Sequence, residues 1–211
     1  MQNIASRDPL IGLLNRRECD RVLARQIDLC QRLQVPLALC FFDLDHFKQV
    51  NDLLGHHVGD KVLQRVALAV EQIIRSTDYL FRWGGEEFLL LCTDTPKAHA
   101  LKLANTLKAA INGIDWSDMA HMPALTCSFG VALFPEHADQ AESLFIAADS
   151  ALYRTFAEHF GTWLELASAG QFDGQGDHHT PAPYVEKAFR KYLECGIRCP
   201  RLCAGTLRRL R

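Results

Sequence analysis

Apolar positions recur along this chain in two rhythms, and the switches between them mark out its elements. Val22, Leu23, Ile27, Leu29 and Cys30 follow helical spacing, which predicts a helix capped by Asn15, running to about Leu33, with these side chains inward. Pro36 to Phe42 is a continuous apolar run, the pattern of a strand covered on both faces. Phe47, Val50, Leu53 and Leu54 return to helical spacing, and Gly55 stops that helix. A further amphipathic helix is predicted from Asp60 to Arg75, turning Val62, Leu63, Val66, Val70, Ile73 and Ile74 inward. Two short apolar runs, Tyr79-Leu80-Phe81 and Leu89 to Cys92, flank Gly84-Gly85 and read as a β-hairpin. Pro96 opens a helix to about Ile111 that ends near Gly113, residues 123–134 read as a strand, and Ala141 to about Phe156 as a last helix. Strands and helices mixed in this order predict an α+β or α/β sandwich on one sheet.

A chain of 211 residues with 48% hydrophobic content has room for one cored domain and an appendage. No apolar run reaches the length of a membrane helix, and residues 1–7 lack the core of a signal peptide, so the expected location is cytoplasmic. Five of the eight cysteines (Cys19, Cys30, Cys40, Cys92 and Cys127) fall within apolar patterns and read as buried thiols of a reducing compartment. The formal charge of −2 conceals an asymmetry, because residues 186–211 hold eight Lys or Arg against two acids. The rest of the chain is therefore acidic, and an anionic ligand there must be held by metal ions and a few placed cations.

Candidate chemistry concentrates at the hairpin. In Arg82-Trp83-Gly84-Gly85-Glu86-Glu87-Phe88 two acids open an otherwise apolar strand, and the glycines leave room for a bulky group to approach. Adjacent carboxylates suggest one metal ligand and one group that polarises a hydroxyl, although a solvated acidic turn fits these residues equally. The buried strand ending Phe41-Phe42-Asp43-Leu44-Asp45 changes that balance, since carboxylates at the end of such a strand are costly unless they bind something. Asp43 and Glu86 together offer oxygen-only ligands suited to Mg2+. His46, His56 and His57 lie near carboxylates, but no Cys or His pair there has zinc-finger spacing.

These residues, in this order, resemble the GGDEF domain family of diguanylate cyclases in its GGEEF variant. The resemblance runs from Asp8-Pro9-Leu10-Ile11-Gly12-Leu13-Leu14-Asn15-Arg16-Arg17, with Ile11 where the family usually has Thr, through Asp43 to Lys48, Asn51-Asp52, Gly55 to Asp60 and Ser128-Phe129-Gly130, to Ala148–Arg154. It implies the palm-like nucleotide-cyclase fold, a central, mostly antiparallel sheet flanked by helices. It also implies condensation of two GTP molecules into cyclic di-GMP across a homodimer. On the matching positions, Asp43, the Leu44 carbonyl and Glu86 would hold Mg2+, for which Mn2+ can substitute. Glu87 would act on the 3′-hydroxyl, and Lys48 with the amides around His46 and Phe47 would hold phosphate oxygens or stabilise charge in the transition state, which puts Lys48 with Glu87 among the catalytic residues. Asn51 and Asp60 would read guanine, with His56 and Gly85 beside the nucleotide. Arg75-Ser76-Thr77-Asp78, six residues ahead of Gly84, matches the family's inhibitory product site, at which Arg75 and Asp78 would bind cyclic di-GMP.

The pattern breaks in the last helix, where Phe156 and Phe160 stand at the family's phosphate-binding Lys and Arg positions. Each lost charged hydrogen bond is worth about 1.5–3 kcal/mol, so a degenerate module that binds GTP or cyclic di-GMP without turnover is the competing expectation. The domain is expected to span residues 1–165, followed by a Gly- and Pro-rich linker at 166–183 and a basic tail at 184–211 containing Cys195, Cys199 and Cys203. The tail lacks the aromatic interleaving of a nucleic-acid binder.

Overall fold

The computed structural model describes residues 6–168, with side chains through residue 154; the expected linker and tail lie almost entirely outside that range. Five strands form one sheet: β1 (Leu14–Asn15), β2 (Leu37–Asp45), β3 (Tyr79–Gly84), β4 (Glu87–Thr93) and β5 (Thr126–Phe134), in the order β1-β3-β4-β2-β5. Only the short β1–β3 pairing is parallel. The helices are α1 (Arg16–Leu33), α2 (Phe47–Leu54), α3 (His56–Glu71), α4 (Lys97–Asn112) and α5 (Ala141–Ser168). This is the predicted α+β arrangement, a mostly antiparallel sheet between helices. Among the described residues no helix is long and apolar enough to cross a membrane.

Alternation along the strands divides the core into two layers. Leu37, Leu39 and Phe41 of β2 and Leu89 and Leu91 of β4 pack with Val22, Leu23 and Ile27 of α1 and Leu144 and Ala148 of α5. Ala38, Cys40, Phe42 and Leu44 point the other way, onto Val50 of α2, Val62, Val66 and Val70 of α3, and Leu107 and Ile111 of α4. Gly130 of β5 lets α5 lie close to the sheet, since a Cβ there would stand 2.1 Å from the Ala148 carbonyl oxygen and the Leu152 amide nitrogen.

Asn15 caps α1 as expected, its Oδ1 accepting from the Glu18 N–H at 3.1 Å. Leu29 is 38% exposed rather than inward, because Val22, Leu23, Ile27 and Cys30 already complete the apolar stripe. The expected 60–75 helix is also displaced, starting at His56 and ending at Glu71. Gly55 adopts φ +86°, a conformation that favours glycine, so α2 ends and α3 begins without an intervening loop. At the other end the Ile73 and Ile74 amides share the Val70 carbonyl, and a turn closed from the Asp78 N–H to the Arg75 carbonyl replaces the final helical turn. The last helix runs on to Ser168, beyond Phe156. The two-residue β1 is too short to leave a periodic signature.

Candidate active site

β4 starts at Glu87, which leaves Gly85 and Glu86 as the two residues between the paired Gly84 and Glu87. Glu87 then stands directly opposite Asp43 on β2, and side chains so placed share a face with Cα atoms about 4.5–5.5 Å apart. Glu86 is joined to the same corner through its carbonyl, which accepts from the Leu44 N–H at 3.4 Å. Thus Asp43, Leu44, Glu86 and Glu87 meet where β2 ends and the hairpin turns. A row of rings fixes that register from behind. Phe42 lies opposite both Phe88 and Phe129 and stacks on them at 5.2 and 4.8 Å, so the next residue along each strand falls into one row, Glu87–Asp43–Ser128.

Three further residues hold this corner, and the sequence reading gave none of them a role. Asp45 accepts from the Thr126 hydroxyl at 2.7 Å and the Ser128 hydroxyl at 2.8 Å, so both of its oxygens are engaged in bracing β2 to β5. Its charge, after burial, also helps push the Cys127 thiol up to about 12. Arg82 donates to the Gly85 carbonyl from Nε and Nη2, at 3.1 and 2.9 Å, and from Nη1 to both Asp8 oxygens at 3.1 Å. Asp8 in turn accepts from the Leu10 and Ile11 amides at 3.0 Å, so the opening loop of the domain is tied to the turn of the hairpin. The signals available in sequence were an Asp-Pro turn and an arginine beside the glycine pair, neither specific without the pairing partner.

The nucleotide candidates sit on the α2–α3 corner. His46 precedes α2 with φ +61°, an uncommon conformation for a residue with a side chain, and is exposed. Phe47 is only 6% exposed and its ring belongs to the core, so only its backbone amide is available to a ligand. Lys48 is exposed and stands 4.0 Å from the equally exposed Asp52, a pairing too weak to withdraw it from other partners. The Gly55 turn folds α3 back on α2, placing half-buried Asn51 close to Gly59, the residue before half-buried Asp60. His56 is exposed at the start of α3. At the hairpin tip, Cβ atoms at Gly84 or Gly85 would meet nothing within 4 Å.

Arg75 and Asp78 lie at the far end of β3 from the acids. The Arg75 N–H donates to Asp78 Oδ2 at 2.9 Å, and Asp78, whose Oδ1 is buried, stands against the Cys92 thiol and helps raise its pKa. The two residues border a cavity of about 360 Å3 that Thr95, His99 and Lys102 also line. A larger open depression of about 500 Å3 lies at Asn15, Arg16, Arg17 and Asp20, and Arg16 there rests over the Trp83 ring at 4.4 Å.

No cluster of three or more His, Cys, Asp or Glu side chains able to hold a metal occurs among the described residues. The corner brings three acidic residues, Asp43, Glu86 and Glu87, beside the Leu44 carbonyl. Hard oxygen donors of this kind fit Mg2+, which commonly takes one or two protein carboxylates and fills its remaining positions with phosphate and water.

Diguanylate cyclase DosC of Escherichia coli (strain K12) is 37% identical over 154 residues, covering 69% of this chain and 32% of DosC, so the chain spans about a third of that relative. Cyclic di-GMP phosphodiesterase NbdA of Pseudomonas aeruginosa is 34% identical over 161 residues, covering 74% of this chain and 20% of NbdA. Among solved structures, the GGDEF domain of DgcB from Caulobacter crescentus in complex with c-di-GMP superposes with a TM-score of 0.69 at 26% identity, covering 75% of this chain and 92% of that one. The family described as "Diguanylate cyclase, GGDEF domain" matches residues 5–161, and with the fold and the ordered motifs in agreement, this chain belongs to the GGDEF domain family.

Proposed function

We propose that this chain is a diguanylate cyclase domain that condenses two GTP molecules into cyclic di-GMP, with release of two pyrophosphates, across a homodimer. The observation that carries this reading is the strand register that sets Glu87 opposite Asp43 and leaves Glu86 in the adjoining turn, its carbonyl accepting from the Leu44 N–H. Asp43, the Leu44 carbonyl and Glu86 would hold Mg2+, or Mn2+ in its place. A metal bound there neutralises phosphate charge and aligns the attack. Glu87 accepts the proton of a 3′-hydroxyl as that oxygen bonds to the α-phosphorus of the other nucleotide and the bond to pyrophosphate breaks. The same exchange in the opposite direction closes the ring, so each of two facing domains brings one GTP.

Lys48 and the backbone amides of His46 and Phe47, at the start of α2, hold phosphate oxygens. Asn51 and Asp60 read the base, because a carboxylate accepting from N1–H and N2–H separates guanine from adenine. His56 lies on the rim, and Gly85 leaves the hairpin tip open to the nucleotide. Arg75 and Asp78 bind cyclic di-GMP in the cavity against α4. The catalytic domain is assigned to residues 1–165, with 166–183 as linker and 184–211 as a tail.

The names of DosC and DgcB support the cyclase reading, and the name of NbdA shows that a similar segment also belongs to a protein of the opposite activity. A second reading, a nucleotide-binding module without turnover, is favoured by Phe156 and Phe160 in α5. GTP turnover with Mg2+, followed as cyclic di-GMP at several protein concentrations, separates the two. Product should rise more steeply than protein concentration and fall at least about a thousandfold in Glu87→Gln. GTP bound without product establishes the second reading instead.

A further inference from the structure

We infer that Gly59 is a positioning residue for base recognition, acting by leaving room for the Asn51 carboxamide; this rests on the proposed reading of guanine by Asn51 and Asp60. Gly59 is the fourth residue of α3, buried, and its backbone does not need glycine, since its φ is not among the positive ones. Glycine weakens a helix relative to alanine, so its presence within this one calls for another cause. The cause is on the facing helix. A methyl group at position 59 would stand 2.0 Å from Asn51 Oδ1, 3.0 Å from Asn51 Cγ and 3.2 Å from Phe47 Cζ.

These neighbours differ in how they yield. Phe47 belongs to the core and needs to shift by only a few tenths of an ångström, whereas the Asn51 carboxamide is the far end of a rotatable side chain and simply turns aside. An added methyl group therefore leaves the fold in place and moves Asn51. Gly59 also immediately precedes Asp60, so the packing that seats Asn51 is the packing that sets its separation from the second base-reading group. The device is steric, and it separates recognition of the base from recognition of the phosphates, whose candidate ligands lie at the other end of α2.

The test uses four full-length proteins: the unsubstituted chain, Gly59→Ala, Asn51→Ala and the double variant. Binding of GTP, used as its α,β-methylene analogue so that no pyrophosphate can leave, and of inorganic tripolyphosphate, each with Mg2+, is measured by calorimetry, and thermal unfolding is recorded for each protein. Gly59→Ala should weaken GTP about tenfold, the worth of one lost hydrogen bond, while leaving tripolyphosphate affinity and the melting temperature at or above the starting values. The double variant should bind GTP no more weakly than Asn51→Ala alone, because the alanine then displaces nothing. Unchanged GTP affinity in Gly59→Ala, losses that add in the double variant, or an equal loss of tripolyphosphate binding each overturn the inference while leaving the cyclase reading intact. An unsubstituted chain that binds tripolyphosphate but shows no preference for GTP overturns the reading of the base, and the inference with it.

Discussion

The two faces of the sheet are built alike over most of their length and part company at one end. On the face toward α1 and α5, β2 presents Leu37, Leu39 and Phe41 and then Asp43 and Asp45; on the face toward α2, α3 and α4 it presents Ala38, Cys40, Phe42 and Leu44, all buried. β4 repeats the contrast, with Glu87 on the first face one residue before fully buried Phe88 on the second. The second face stays closed because α2 follows β2 immediately and lays Phe47 and Val50 over its end. The lesson lies in the register. The residues that carry the chemistry and those that hold the sheet occupy alternate positions of the same strands, so a slip of one residue would bury the acids and expose Leu44 and Phe88.

The strongest way to break the contrast is to remove the aromatic row behind the acids. Phe42→Ala should cost about 3–5 kcal/mol, read from denaturant unfolding, because Phe42 is fully buried between two stacked rings. Next in size is Arg82→Ala, which strips the hairpin turn of its tie to Asp8 and should cost about 2 kcal/mol. If the corner works as proposed, its loss of cyclase activity should exceed what the fraction unfolded explains, whereas Arg82→Lys should recover only part of it.

A further effect appears in alkali, is spread over several pH units and belongs mainly to the closed face. Burial pushes the Cys40 thiol up to about 12 and raises Cys92 as well. The folded value lies above the unfolded one, so these thiols contribute fully to stability below about pH 8.5 and lose that contribution as pH rises toward 12. Unfolding free energy should therefore fall between pH 9 and 11, with Cys40→Ala making the slope shallower by about 1.4 kcal/mol per pH unit.

Much of the fold was legible because it rests on periodicity. The apolar run at 36–42, the Gly-Gly hairpin and the helical stripes of α1 and α4 each emerged near their predicted places. What escaped depended on partners distant in sequence. β1 is defined by pairing with β3, and Arg82 finds Asp8 across 74 residues. The start of α3 was misread because Gly55 looked like a stop, whereas its positive φ allows one helix to end and the next to begin at the same residue. At the site, motif spacing named the residues, but only the register showed Glu87 opposite Asp43 with Glu86 in the turn. Nothing in the spacing distinguished Asp45, which binds two hydroxyls, from Asp43 two residues before it.

The glycines of this domain answer to different pressures. A side chain at Gly130 would strike the backbone of α5, so any lineage that needs the folded protein must keep that glycine whatever the protein is used for. Gly84 has open space around it and a backbone that other residues can adopt, so folding does not hold it in place. Only what approaches the hairpin from outside can. A descendant released from its task would keep Gly130 and let Gly84 drift, and substitutions at these two positions across laboratory-evolved populations would record, independently of any assay, whether the site is still in use.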